Sequence, residues 1–196
     1  MTPRVVLPLA AALALGTALG CGDSTGPGTE IVVTGTIQNN TQAAIPAGAR
    51  LLVVWVVSST SPDYSYVHGE GTFDAAAGTF RVELTAPPPA ALNGERLGVG
   101  IIFLTTDASL GEGDDIQDVA DADIVGAAGL YGVIYVAGTP AEAAGIRDWA
   151  ADFPAGFRVG VGQAVPGAFD RFVPVDASDV VLMVDDIANI EFVNWT

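Results

Sequence analysis

The sequence predicts a mainly β protein: an antiparallel β-sandwich of about ten strands with one short helix near residues 140–152. Three observations carry that expectation. From Glu30 onward the dominant pattern is short apolar segments of period two, bounded by clusters of Gly, Pro, Asn and Asp, as strands and turns require. A single stretch combines helical spacing with helix-start residues. Ten strands with one helix argue for a mainly antiparallel sandwich or barrel, because parallel neighbours need a crossover, usually a helix, between strands.

Thr79 to Thr85 shows the strand pattern most clearly, with Phe80, Val82 and Leu84 directed to one face and Arg81 and Glu83 to the other. Further strands are expected at Ile31 to Ile37, Arg50 to Ser58, Tyr64 to Glu70, Leu97 to Thr105, Leu130 to Ala137, Phe157 to Gln163, Arg171 to Val175, Val180 to Val184 and Ile190 to Trp195. Leu51 to Val57 is continuously apolar, which marks a central strand with both faces covered or a strand crossing the middle of a sandwich. The helix is signalled by Thr139-Pro140-Ala141-Glu142, a capping box with Pro at the first helical position. Ile146, Trp149, Ala150 and Phe153 follow at helical spacing, and Pro154 and Gly156 stop the element. That stripe reads as a face packed on the sheet.

Half of the residues are apolar and 15% are charged, so the chain has material for a core and is not of disordered composition. Pro87-Pro88-Pro89 and the acidic stretch from Asp107 to Asp123 are candidate boundaries. Cutting there leaves halves of about 75 residues, near the lower limit for cores without disulfides, so residues 30–196 are read as one sandwich domain. Charge is lopsided: 23 acidic side chains face 7 basic ones, all Arg, for a net charge of -16. Scattered arginines on so acidic a chain exclude nucleic acid as a partner, since phosphate neutralisation needs a basic surface.

The N-terminus carries an address. Arg4 is the only charged side chain before Asp23, and Val5 to Leu19 is a run of Val, Leu and Ala broken only by Pro8, Gly16 and Thr17. Its length and flanks are those of a signal-peptide core, short of the ~20 residues a membrane span takes, so residues 1–20 are read as a signal peptide and the chain as exported. The run ends Ala18-Leu19-Gly20-Cys21, and Cys21 is the only cysteine, which leaves no internal disulfide to form. This stretch resembles the bacterial lipoproteins, whose lipobox sets a small residue directly before a cysteine that is acylated and becomes the mature N-terminus. Gly20 and Cys21 match; Ala18 and Leu19 depart from the usual Leu and small residue. The resemblance implies lipidation at Cys21 and attachment to the membrane through that anchor. Residues 21–29 are a polar Gly/Ser/Thr/Pro tether of the kind that holds a domain off a bilayer. By the same resemblance, Gly22 rather than Asp after the cysteine favours the outer membrane.

A second resemblance concerns the fold. Val33, Gly35 and Ile37, then Gly78, Phe80, Val82 and Leu84, are similar to motifs of the transthyretin-like and carboxypeptidase-regulatory sandwiches. That similarity, over residues 31–89, implies an accessory, non-catalytic module.

Counting removes most catalytic apparatus. One histidine, His68, no lysine and no cysteine beyond Cys21 leave no parts for thiol proteases, Schiff-base enzymes or ordinary Cys/His zinc sites. No serine stands in a Gly-x-Ser-x-Gly elbow, and the Gly-x-Gly pairs at 69/71, 98/100, 111/113 and 160/162 complete no dinucleotide or phosphate-binding loop. Carboxylate pairs for glycoside cleavage stay open, because their separation is three-dimensional.

Two constellations are candidate sites. Tyr64, Tyr66, His68 and Glu70 alternate along one strand, so they share a face that would stack a sugar ring or hold a polar ligand, or else form an ordinary cross-strand aromatic surface. Asp107, Glu112, Asp114, Asp115, Asp118, Asp121 and Asp123 place seven acids in one connection, hard oxygen ligands that suit calcium. No EF-hand register fits: from Asp121, Gly132 occupies the twelfth position, and from Asp107, Glu112 stands where Gly is needed. The competing arrangement has Ile116, Val119 and Ala120 as a short helical stripe with the aspartates in solvent. No other cofactor is implied. The expected function is a non-catalytic envelope lipoprotein with a structural role or a role in binding a ligand, protein or carbohydrate; the alternative is an exported carboxylate-dependent hydrolase of glycosidase type.

Overall fold

The computed structural model describes residues 28–57, 65–85, 96–116 and 119–194. Cys21, Tyr64, Asp118, the triple proline and most of the expected tether lie outside the described residues. The protein is mainly β, with ten strands and one α-helix among the described residues. The strands are β1 (Ile31–Asn39), β2 (Arg50–Val57), β3 (Ser65–Asp74), β4 (Thr79–Leu84), β5 (Leu97–Thr105), β6 (Ile124–Ala127), β7 (Tyr131–Val136), β8 (Gly156–Gln163), β9 (Arg171–Val175) and β10 (Val180–Val184). No described helix is long and apolar enough to cross a membrane.

The pairing order β2-β3-β4-β1-β10-β6-β5 returns to β2, so seven strands close into a barrel. Six of its ladders are antiparallel and one, β1 with β10, is parallel. The parallel ladder is a topological necessity. Each antiparallel pairing reverses strand direction, so a closed ring needs an even number of them, and seven ladders cannot all be antiparallel. The pairing is that of a seven-strand closed barrel with extra strands, mainly antiparallel, and is not clearly the expected antiparallel sandwich. Strands before Pro87-Pro88-Pro89 form one arc of the ring and those after it the other, and the two arcs join where β2 pairs with β5 and β1 with β10.

Strand β5 divides its second edge. Its C-terminal half pairs with β6 inside the barrel, and its N-terminal half pairs with β7, from which β8 and β9 continue as an antiparallel flap. One core fills the barrel and the space under the flap, where Val33, Trp55, Phe80, Val82 and Leu182 meet Tyr135 and Phe157. The rings of Tyr135 and Phe157 pack 4.7 Å apart at 60°, and Trp55 Nε1 donates to the His68 carbonyl at 2.8 Å. The flap's other face carries Ile134, Val136 and Phe172, covered by Trp149, Ala150 and Phe153. Strand β5 is thus buried on both faces, which its unbroken apolar sequence requires.

The expected helix forms in two pieces. α1 (Pro140–Ala144) carries the capping box, with Thr139 Oγ1 accepting from the Glu142 N–H and Glu142 Oε2 accepting from the Thr139 N–H. Gly145 caps it, Arg147 is extended, and Asp148–Asp152 resumes as a 3₁₀ helix that still buries Trp149 and Ala150. The expected strand from Ile190 is an unpaired extended segment: Phe192 stacks on Phe103 at 5.9 Å and Val193 donates to the Gly129 carbonyl, so its apolar residues pack without a ladder. The short strand β6 takes its place in the count.

Candidate functional site

The two sequence constellations are brought together. The acidic connection leaves β5 at Thr105 and runs back along the edge of β3: the Val67 N–H donates to the Asp114 carbonyl at 2.9 Å, and the Gly113 N–H to the Val67 carbonyl at 2.8 Å. Asp115 bridges to Tyr66, and Ser65 Oγ donates to Asp115 Oδ1 at 3.3 Å. The connection is a strap held on the barrel by its apolar residues. Leu110, Ile116 and Val119 cover Leu52, Val54 and Val67 on the outer face of β2 and β3.

The face expected for Tyr64, Tyr66, His68 and Glu70 is broken by a β-bulge. Trp55 pairs with Tyr66, Val54 with Val67, and Leu52 with Glu70, so β3 spends one more residue than β2 over this stretch. Gly69, at φ 113°, supplies the left-handed conformation at that point. The extra residue puts Tyr66 and Glu70 on opposite faces. Tyr66 enters the core at 5% exposure, where it is closed to a ligand, and Glu70 lies outside in a bidentate ion pair with Arg50 at 3.2 Å. His68 sits beside the bulge with Nδ1 against Glu112, whose second oxygen accepts from the Gly69 N–H at 3.2 Å. Arg50 also donates through Nη1 to the Leu110 carbonyl, tying barrel to strap.

Of the calcium candidate's carboxylates, those of Asp107 and Asp114 serve the strap's own turns. Asp107 Oδ1 accepts from the Ser109 hydroxyl and N–H, which with the nearby Arg50 holds its carboxyl below the ordinary range. Asp114 Oδ2 accepts from the Gly111 N–H, and Asp123 contributes its carbonyl to Thr105 and Thr106. Asp121 lies in the same 3₁₀ turn as Asp123 and lines a hollow with Asp186 and Ile187. Among the described residues no three His, Cys, Asp or Glu side chains form a group fit to hold a metal ion. Ile116 and Val119 pack on the barrel, the Val119 N–H donates to the Ile116 carbonyl, and Ala120 is exposed.

With the barrel filled by Trp55, Tyr66, Phe80, Tyr135 and Phe157, the sizeable concavities described lie on the exterior. A cleft of ≈ 350 Å³ opens beside β10, between Met183 and the turn at Leu130 and Tyr131, with Asp185 and Glu191 on its rim. Sequence reasoning missed it. The only local signal is Asp185-Asp186 followed by Asn189, where Asp186 caps a 3₁₀ helix (Ile187–Asn189) and Asn189 Nδ2 donates to Asp185 Oδ1 at 3.0 Å. Comparison with family models, curated proteins and solved structures found no match to this chain.

Proposed function

We propose that this chain is a cell-envelope lipoprotein, acylated at Cys21 and held at the outer membrane, whose β domain has a structural or binding role and performs no catalysis. The observation that carries the proposal is the placement of the only cysteine, directly after Gly20 at the end of the apolar N-terminal run. The domain begins close behind it. Gly28 already accepts a hydrogen bond from the Phe157 N–H at 3.0 Å, so the proposed tether comprises residues 21–27, a length of chain that spans at most roughly 25 Å. Such a tether holds the domain within one molecular diameter of the bilayer, and acyl chains contribute about 0.8 kcal/mol per buried methylene to the attachment.

The non-catalytic part of the proposal is supported by the commitment of the candidate side chains. Tyr66 is in the core, Glu70 is neutralised by Arg50, and Glu112 is engaged by His68 and Gly69. The motifs similar to transthyretin-like modules lie side by side, Val33 paired with Val82 and Gly35 with Phe80, and the flap shares one core with β1 and β10 in sandwich-like fashion. Cys21→Ser in the expressing cell tests the proposal: the variant is expected to leave the membrane fraction or to accumulate as unprocessed precursor. Membrane association and processing identical to wild type would overturn it. Turnover of glycosides or esters that falls with Glu70→Gln would favour the hydrolase instead.

A further inference from the structure

We infer that the cleft beside β10 binds an organic cation with an apolar body, such as a primary ammonium on a short hydrocarbon stem. The cavity itself carries the inference. Its ≈ 350 Å³ falls at the small end of ligand-pocket volumes. One wall is apolar: Leu130, which is 38% exposed, with Tyr131, Val181 and Met183. The rim is anionic, with Asp185 and Glu191, and among the described residues no basic side chain lines the cleft.

Asp185 is the fixed point of the site. Its Oδ1 accepts from Asn189 Nδ2 at 3.0 Å and the Asp186 N–H at 2.8 Å, and its Oδ2 from Asn40 Nδ2 at 3.3 Å. Those three donors orient the carboxylate and leave lone-pair capacity on Oδ2 for one further donor. A bare ammonium would gain little over water at so open a rim. The hydrocarbon wall supplies the remaining affinity, to which an aromatic lining residue such as Tyr131 adds apolar surface. The same chemistry is presented by a free alkylamine and by a Lys side chain of another protein, and the whole chain's net charge of -16 attracts either.

The chain carries its own reporter, because its two methionines are Met1, in the N-terminal segment, and Met183, in the cleft. The full chain labelled with [methyl-13C]methionine is titrated in a non-ionic detergent with hexylammonium, 1-hexanol and hexanoate. Hexylammonium is expected to move the Met183 methyl resonance saturably, 1-hexanol to bind roughly tenfold more weakly, and hexanoate not at all. Glu191→Gln, which leaves the Asp185 hydrogen bonds in place, and Asp185→Asn should each weaken hexylammonium severalfold without changing the 1-hexanol titration. Acetyl-lysine methylamide in a parallel titration separates the sources: binding of both amines assigns the cleft to a Lys side chain, and binding of hexylammonium alone to a free amine. Equal affinity for amine and alcohol, or no saturable shift at any soluble amine concentration, overturns the inference. Neither result depends on acylation of Cys21, so this site and the anchor fail independently.

Discussion

Closure of the barrel through its parallel seam makes Gly35 the most tightly confined glycine among the described residues. Gly35 lies in β1 between Phe80 of β4 and Val180 of β10. A Cβ added there would stand deep inside contact distance of the Val180 carbonyl oxygen and 2.7 Å from Phe80 Cε1. The carbonyl belongs to the seam's own backbone and cannot swing aside as a flexible side chain would. Overpacking of a tight core costs about 1–3 kcal/mol, and with a backbone obstacle Gly35→Ala belongs at the upper end, roughly 3 kcal/mol. In a domain of this size about 1 kcal/mol moves Tm by roughly 2–4 °C, so Gly35→Ala is expected to melt roughly 6–12 °C below wild type. Gly48→Ala is the control, because no atom lies within 4 Å of its Cβ position and its φ is not positive. That variant should match or slightly exceed wild type, since alanine restricts the unfolded chain. Thermal circular dichroism of the three proteins decides the matter. If Gly35→Ala melts with Gly48→Ala, the β1–β10 seam is not as tightly apposed as described here and the closed ring falls with it.

Other expectations follow from individual contacts. Thr139→Ala removes one half of the capping box and should cost about 1 kcal/mol, read as a Tm fall of a few degrees. Hydrogen bonds from Ser109, Ser178, Asn189 and Thr139 hold the carboxyls of Asp107, Asp176, Asp185 and Glu142 below their ordinary values of 3.8 for Asp and 4.5 for Glu. A depressed folded-state value stabilises fully above the ordinary value and is lost as pH falls through the depressed one, so Tm should drop below about pH 4. Asp107→Asn with Asp176→Asn should flatten that drop, and an unchanged acid limb would show these turns to be irrelevant to it. Because the described strap carboxylates do not converge, calcium and magnesium at equal concentration should shift Tm equally. A larger calcium shift that Asp118→Asn with Asp121→Asn abolishes would restore the calcium site.

Local structure was legible where one face of a strand is core and the other solvent. Phe80, Val82 and Leu84 against Arg81 and Glu83 fixed β4, and Leu97–Thr105 was bounded as observed. The capping box at Thr139 was equally plain, because its geometry is contained within four residues. What the sequence concealed is non-local. Period-two counting put Tyr66 and Glu70 on one face, and a single bulged residue at Gly69 reversed one of them. Strand β6 is four residues ending in Gly and Ala, too short to show a period, while the segment from Ile190 shows apolar residues that pack on Phe103 without pairing. The parallel seam joins the first and last strands, and no window of sequence holds both. The cleft beside β10 likewise draws on residues from Gln38 to Glu191.

The most direct test of the account is the intact mass of the protein extracted from membranes. The account predicts a chain that begins at Cys21 and carries added acyl mass on that residue. Recovery from the membrane of a chain that retains residues 1–20, or one that begins at Cys21 without acyl mass, would contradict it.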